Sequence, residues 1–373
     1  MALIKLNTRS LSDNSVTNEK LKNPKALGSH RRLNYNGAFD HWQRGVNENV
    51  TVAGTYETAD RFKVWASNVG GLTCERSSDT PSGQGFRFSM KMSPTTGDAS
   101  LGSGEYACFA LHKFEGERMQ DWLWATANAK DLYVSFWVKS NKTGTYSLIG
   151  NTLNGTNYKH IKEYTINSAN TWEKKTIIIP GLTALSGATI SNDNNASFRI
   201  LFNLGWGDNN SGTADTWFTG SDYTTSTSVN FMDSSSNEMY ITGIQYEFGE
   251  HTDFEFWNQS EELNLCKRYY FTYGGTHGAP LLQGYDGGNT TYTLPLPVRM
   301  RTSPSGTNYG NWYRPNATLT GVVHSNSEFM GMRFNVTSTG GWECYPQNGT
   351  NYDNNPSHWQ YGIVGHIACS AEI

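Results

Sequence analysis

Aromatic side chains set among small polar residues are the part of this sequence best suited to chemistry. Trp206, Trp217, Trp312, Tyr313, Trp342, Tyr345 and Trp359 stand in loop-like stretches with Gly, Asn or Asp nearby. A flat ring beside amide and carboxylate groups holds a sugar by stacking and hydrogen bonding. The ordinary role of a large aromatic in a β protein is to fill a thin core and keep its polar tip wet. Taken singly, each of these residues reads as core; taken together, they supply at least one binding surface. The glycan-contact candidates are Trp312, Tyr313, Trp359, Trp206 and Trp217.

Other chemistries have weaker signatures. The 9 His are scattered and form no HExxH or helical pair, and His41, His112, His160 and His358 read as packing or surface residues. There is no GxSxG elbow, P-loop or GxGxxG. Asp208, Asp215 and Asp253 are conceivable halves of a glycosidase carboxylate pair, yet each sits where a turn explains it equally well. Asp193-Asn194-Asn195 and Asp208-Asn209-Asn210 offer oxygen atoms to Ca²⁺ but lack an EF-hand pattern, and Asx turns account for them. The 5 cysteines, Cys74, Cys108, Cys266, Cys344 and Cys369, show no CxxC and read as reduced, buried thiols. The expectation is no catalytic residue, no metal and no cofactor.

The elements that must position the aromatics are strands. The chain has 373 residues with a net charge of −4, so no bulk field draws it to nucleic acid or an anionic membrane. Charged residues are 17% and aromatics 13%, and much of the polarity comes from Asn, Ser, Thr and 38 Gly. That texture predicts an all-β protein and argues against helical bundles. Alternation predicts strands at 60–66, 85–92, 106–114, 131–139, 145–149, 159–165, 172–179, 196–204 and 239–247, with turns dense in Gly, Asn, Asp and Ser between them. This is the pattern of a sandwich or jelly roll.

Residues 259–272 break the alternation and predict a short amphipathic hinge helix. A smaller β region follows, with strands at 269–273, 291–296, 298–301, 318–324, 329–336 and 362–369. Pro295 and Pro297 donate no ladder bond, which makes TLPLPVRM an edge strand or strand entrance. Residues 1–32 are nearly free of aromatics and read either as a disordered tail or as a docking segment that orders against a partner or against copies of itself, the regular apolar points Ile4, Leu6, Leu11, Val16 and Leu21 favouring docking. The domains expected are therefore 1–32, an N-terminal attachment and oligomerisation segment; 33–258, a β-sandwich; and 259–373, a C-terminal β domain that opens with the hinge helix. Met1–Leu6 is not followed by a long apolar core, so no signal peptide is expected, and no run has the ~18 apolar residues of a membrane span.

Seven segments in order resemble phage tail-fibre and receptor-binding proteins. They are NYNGAFDHWQRG (34–45), TADRFKVW (58–65), LYVSFWVKS (132–140), NTWEKKTIIIPG (170–181), YITGIQYEFGEHTDFEF (240–256), EELNLCKRYY (261–270) and LPLPVRMRTSPS (294–305). Residues 1–22 also resemble attachment segments of tail appendages from marine and cyanobacterial phages of podovirus type. The resemblance implies a virion appendage, usually a homotrimer assembled in the host cytoplasm. It also implies a first β-domain similar to carbohydrate-binding modules, and other tail or adaptor proteins joined through residues 1–30. The matched motifs are structural and transfer no catalytic residue. Among them Gln43, Arg44, Asp60 and Arg61 are expected to form a polar knot with an Arg–Asp bidentate pair as scaffold.

Two readings of different class follow. One is a non-enzymatic, host-glycan-binding virion component. The other is a tailspike-type polysaccharide depolymerase, which commonly needs a long β-helix with a short repeat that the chain lacks. A capsid or tail decoration protein without a receptor is a third possibility. The sequence predicts no nucleic-acid partner and no membrane insertion.

Overall fold

The computed structural model describes residues 30–50, 56, 58–110, 113–207, 211–249, 251–274, 289–302, 305–312, 322–324, 329–335 and 363–372. The described chain is all-β, in two sheets that face each other and two smaller sheets, with one α-helix and short 3-10 turns. The first thirteen strands are β1 (Asn47–Val50), β2 (Lys63–Ser67), β3 (Leu72–Ser77), β4 (Ser89–Pro94), β5 (Tyr106–Ala110), β6 (Phe114–Glu115), β7 (Leu132–Ser140), β8 (Gly144–Thr152), β9 (Tyr158–Ile166), β10 (Glu173–Ile179), β11 (Ala196–Trp206), β12 (Trp217–Thr219) and β13 (Met239–Phe248). A six-stranded sheet runs β1-β3-β4-β13-β7-β10. A seven-stranded sheet runs β12-β9-β8-β11-β5-β2, with β6 also on β11. All these pairings are antiparallel.

Period-two alternation builds the core between the sheets. On β7 Leu132, Val134, Phe136 and Val138 point inward and are buried, as are Phe198, Ile200, Phe202 and Leu204 on β11. Phe136 meets Phe202 edge-on at 5.1 Å across the gap, and Phe109 stacks on Phe202 at 4.5 Å. Each such side chain contributes roughly 1.5–3 kcal/mol by leaving water. Sequence alternation located nine of these strands to within a few residues. It missed β1, β3, β6 and β12, of which β6 has two residues and β1 and β12 are short edge strands.

The motif NYNGAF works through a bulge in β13, between Thr242 and Gln245. Asn34 donates to the Ile244 carbonyl at 2.8 Å and accepts from Tyr246 N–H at 3.0 Å, while Ile244 N–H bonds the Gly37 carbonyl at 3.0 Å. Gly37 is required because an added Cβ would meet the Ile244 carbonyl oxygen. Gly243, inside the bulge, has φ +63°, a conformation open to glycine at little cost.

Helix α1 (Gln259–Lys267) is capped by Asn258, whose side chain accepts from Ser260 N–H. Around it Tyr35, Trp257, Cys266 and Tyr269 form a small buried cluster, so α1 is packed on the sandwich side of the chain. After it come β14 (Tyr270–Gly274), β15 (Asn289–Pro295), β16 (Ser305–Trp312), β17 (Val322–His324), β18 (Phe329–Asn335) and β19 (Ile363–Ser370). They form two three-stranded sheets, β14-β19-β16 and β15-β18-β17. β15, which ends at Pro295, is an edge strand. The strand expected at 298–301 is absent: residues 296–302 are irregular, because Arg301 spends its backbone and side chain on other elements. β16 was not foreseen, since SGTNYGNW reads as a turn.

The polar knot differs from the expected Arg–Asp pair. Asp60 accepts from Gln43, by Nε2 at 2.7 Å and by the backbone at 3.1 Å, and only approaches Arg44 at 3.8 Å. The carboxylate that takes both arginines is Glu372, which bonds Arg44 at 3.1 Å and also bonds Arg61. The physical reason is that Asp60 is buried and already saturated by an amide, whereas Glu372 is brought in by β19, where Ala371 N–H bonds the Tyr269 carbonyl at 2.7 Å. Arg61 lies over the Tyr269 ring at 3.3 Å and Arg44 over Tyr270 at 3.5 Å. Arg268 reaches Glu115 at 2.7 Å, Arg32 reaches Glu262 at 2.6 Å, and Glu255 accepts from the backbones of Arg31 and Arg32 at 3.0 Å each. Five of the seven family-like segments thus meet in one junction that ties the C-terminal strands and residues 30–32 to the sandwich.

Candidate binding face

The outer side of the seven-stranded sheet gathers aromatic and cationic side chains. Val64 and Ala66 of β2 are buried inward, which turns Lys63, Trp65 and Ser67 outward. Strand register carries this side across the sheet. Trp65 pairs with Cys108, Ser67 with Tyr106, Tyr106 with Trp206, Arg199 with Asn151, and Asn151 with Lys159. Cys108, Ile149, Ile161 and Leu201 form the apolar floor, with Trp65, Tyr106, Trp206, Phe218 and Tyr223 packed on it.

Tyr106, Trp206 and Tyr223 form a continuous stack, with centroids 4.3 Å and then 4.4 Å apart and planes within 20°. Tyr223 is delivered by the segment after β12. This segment is tied down by Asn203, which donates to Thr224 Oγ1 at 2.9 Å and to Ser147 Oγ at 3.0 Å. Arg199 is held flat by Asn151 Oδ1 at 2.8 Å and by Tyr223 OH at 3.2 Å. Its guanidinium lies 5.4 Å from the Trp65 ring centroid, and Lys63 Nζ lies 5.1 Å from the same ring. Trp65, Lys63, Lys113, Arg199, Tyr106, Trp206 and Tyr223 are all half-exposed.

The lysines of this face are all lowered on balance, although Glu372 raises Lys63 and Asp222 raises Lys159 in part. Burial lowers the Lys63 amine, and the Arg199 charge lowers it further. Lys113 is brought down to about 8 by burial and by Lys63, Arg199, Arg301 and Arg61. Lys159 is lowered by burial and by Arg199. Burial lifts the Cys108 thiol to about 12, so it is an inert part of the floor.

Of the sequence candidates, Trp206 belongs to this face. Trp217 points to the other side of the sheet: it packs against Trp124 at 5.6 Å and His160 at 5.1 Å and donates to the Pro180 carbonyl at 3.1 Å. His160 beside it is buried, and burial lowers it to about 4. Trp312 ends β16, paired with Ile363. Tyr313, Trp342, Tyr345, Trp359, Asp208, His112 and His358 lie outside the described residues. Asp215 pairs with Lys162, and Asp253 with Lys174 at 3.3 Å. Asp193 spends its carboxylate on an Asx turn, accepting from Ser191 Oγ at 2.7 Å and Asn195 N–H at 3.0 Å. Trp65, Lys63 and Arg199 were not singled out from sequence. The available signal was KVWAS and FRIL, where alternation puts the polar or bulky residue opposite the core-facing one.

No family model and no curated protein matches the chain. Solved structures overlap part of it. The enzymatically active domain of tailspike protein 4 of bacteriophage CBA120 overlaps 58% of this chain and 21% of its own length, at 14% identity and a TM-score of 0.29. A putative sugar binding protein from Bacteroides thetaiotaomicron overlaps 59% of this chain and 100% of its own, at 10% identity and 0.32. The family 11 carbohydrate-binding module of a Clostridium thermocellum cellulosomal cellulase overlaps 54% and 98%, at 12% identity and 0.29. Scores of this size transfer no function to this chain.

Proposed function

We propose that this chain is a virion tail-appendage protein that binds a host-surface glycan without cleaving it. The observation that carries the binding role is Trp65, half-exposed between Lys63 and Arg199 and beside the Tyr106–Trp206–Tyr223 stack. A half-exposed ring with fixed polar groups beside it suits a saccharide. The appendage role rests on the seven family-like segments. Residues 1–30 serve as the attachment segment in this reading, and the chain assembles as a homotrimer. Three weak sites then raise avidity by roughly 10²–10⁴ where geometry lets them engage together.

The test is adsorption of the full-length protein to host cells, with Trp65→Ala and Trp206→Ala compared with wild type. Thermal unfolding checks that the variants are folded. Loss of adsorption without release of reducing sugar by any form is the expected result. Unchanged adsorption in folded variants overturns the face as the receptor site, and sugar release by wild type moves the protein to the depolymerase class.

A further inference from the structure

We infer that the saccharide taken by this face is acidic, its carboxylate or sulfate seated among Lys63, Lys113 and Arg199 with its ring on Trp65. The inference rests on the glycan-binding reading of the same face. Its ground is a charge imbalance. Among the described residues neither Lys63 nor Lys113 makes an ion pair or a side-chain hydrogen bond; the carboxylate that acts on Lys63, Glu372, is already bonded to Arg44 and Arg61, and both bonds that orient Arg199 go to neutral oxygen atoms. Lys63 and Arg199 both lie by the same indole, at 5.1 Å and 5.4 Å from its centroid. Elsewhere on the same sheet a cation is matched: Lys162 has Asp215.

Crowded like charges at a half-exposed site cost stability unless an anion joins them. A neutral sugar would leave that cost standing, whereas an oxyanion removes it and gains charge-assisted hydrogen bonds. The two lysines supply point charges, and Arg199, pre-aligned by Asn151 and Tyr223, presents a flat fork. The depressed Lys113 amine is consistent with an amine waiting for its counter-charge.

Calorimetric titration of the full-length protein tests this with three probes: hexagalacturonate, the same hexamers reduced to neutral galactose, and sulfated galactose hexamers. One acidic series should bind at least roughly tenfold tighter than the neutral one, which names carboxylate or sulfate as the source. Lys63→Ala with Lys113→Ala should erase most of that difference without lowering the unfolding temperature. The Lys63→Gln with Lys113→Gln pair should repeat the result. Equal affinity for acidic and neutral hexamers, or an unchanged acidic affinity in either double variant, overturns the acidic assignment. If Trp65→Ala still abolishes neutral binding, the glycan face survives that failure. If no hexamer binds and Trp65→Ala leaves host adsorption intact, both readings fall.

Discussion

On the outer face of the six-stranded sheet, Glu75, Lys91, Tyr240 and Lys139 stand in one cross-strand row. Lys91 is held by Glu75 at 3.1 Å and Glu238 at 2.9 Å, Lys139 by Asp79, and Trp172 donates to the same Asp79 at 3.0 Å. The outer face of the seven-stranded sheet uses the same residue types, lysine beside aromatic. Yet Lys113 there has arginine and lysine for neighbours, and Lys63 has Arg199 beside it and, for a carboxylate, Glu372, which is already bonded to Arg44 and Arg61. The amines answer in opposite directions: the hydrogen bond that Lys91 donates to Glu238 leads in raising it, whereas burial and like charge lower Lys63 and Lys113. An aromatic beside a cation is therefore not itself the mark of a site. The first face is closed on its own charges, and the second is left with an unmatched positive group next to an accessible ring.

The largest test asks whether the two faces share one frame. Arg61→Ala leaves Glu372 buried with one partner fewer, and a broken buried pair costs about 3–5 kcal/mol. Urea denaturation should show that loss in a single transition. Two separated transitions would mean that the sheets and the C-terminal strands are not one cooperative unit. A smaller effect concerns titration. Lys113 is charged below about 8, so affinity for an acidic hexamer should fall several-fold as pH rises from 7 to 9, and the fall should vanish in Lys113→Ala. The groups that set its titration are Lys63, Arg199, Arg301 and Arg61, and the arginines stay charged throughout that range. A flat profile would remove Lys113 from the site. The smallest effect is in stability at the surface. Lys91→Ala, which breaks a pair, should cost about 0.2–1 kcal/mol. Lys63→Ala, which relieves repulsion, should cost nothing or stabilise slightly. Equal losses by chemical denaturation would erase the distinction between the faces.

Much of the architecture was legible because alternation is a local signal. LYVSFWVKS buries alternate residues from Leu132 to Val138, and TWEKKTIII pairs with it through Ile177 and Ile179. Edge strands such as β12, with three residues, carry too little alternation to declare themselves. The site was less legible because it is made by register between strands far apart in sequence: Trp65, Tyr106, Trp206 and Arg199 converge only when β2, β5 and β11 are laid side by side. Trp206 and Trp217 show the limit of local context. Both stand near Gly, Asn and Asp, and one stacks on the outer face while the other packs toward Trp124. The knot shows it again: Gln43, Arg44, Asp60 and Arg61 were readable as a polar group, but Glu372 was invisible as their partner.

That partner sets a schedule. Glu372 lies 328 residues after Arg44 and 311 after Arg61. At about 5–20 residues per second, a ribosome makes Glu372 roughly 15–60 seconds after Arg61. Until then both guanidiniums lack the carboxylate that lets them be buried, and the base of the sandwich has to stay hydrated. The core between the two large sheets holds no side chain from the C-terminal strands. Closure of the base therefore waits for the strand that carries Glu372, the bolt that is made after both of the arginines it holds.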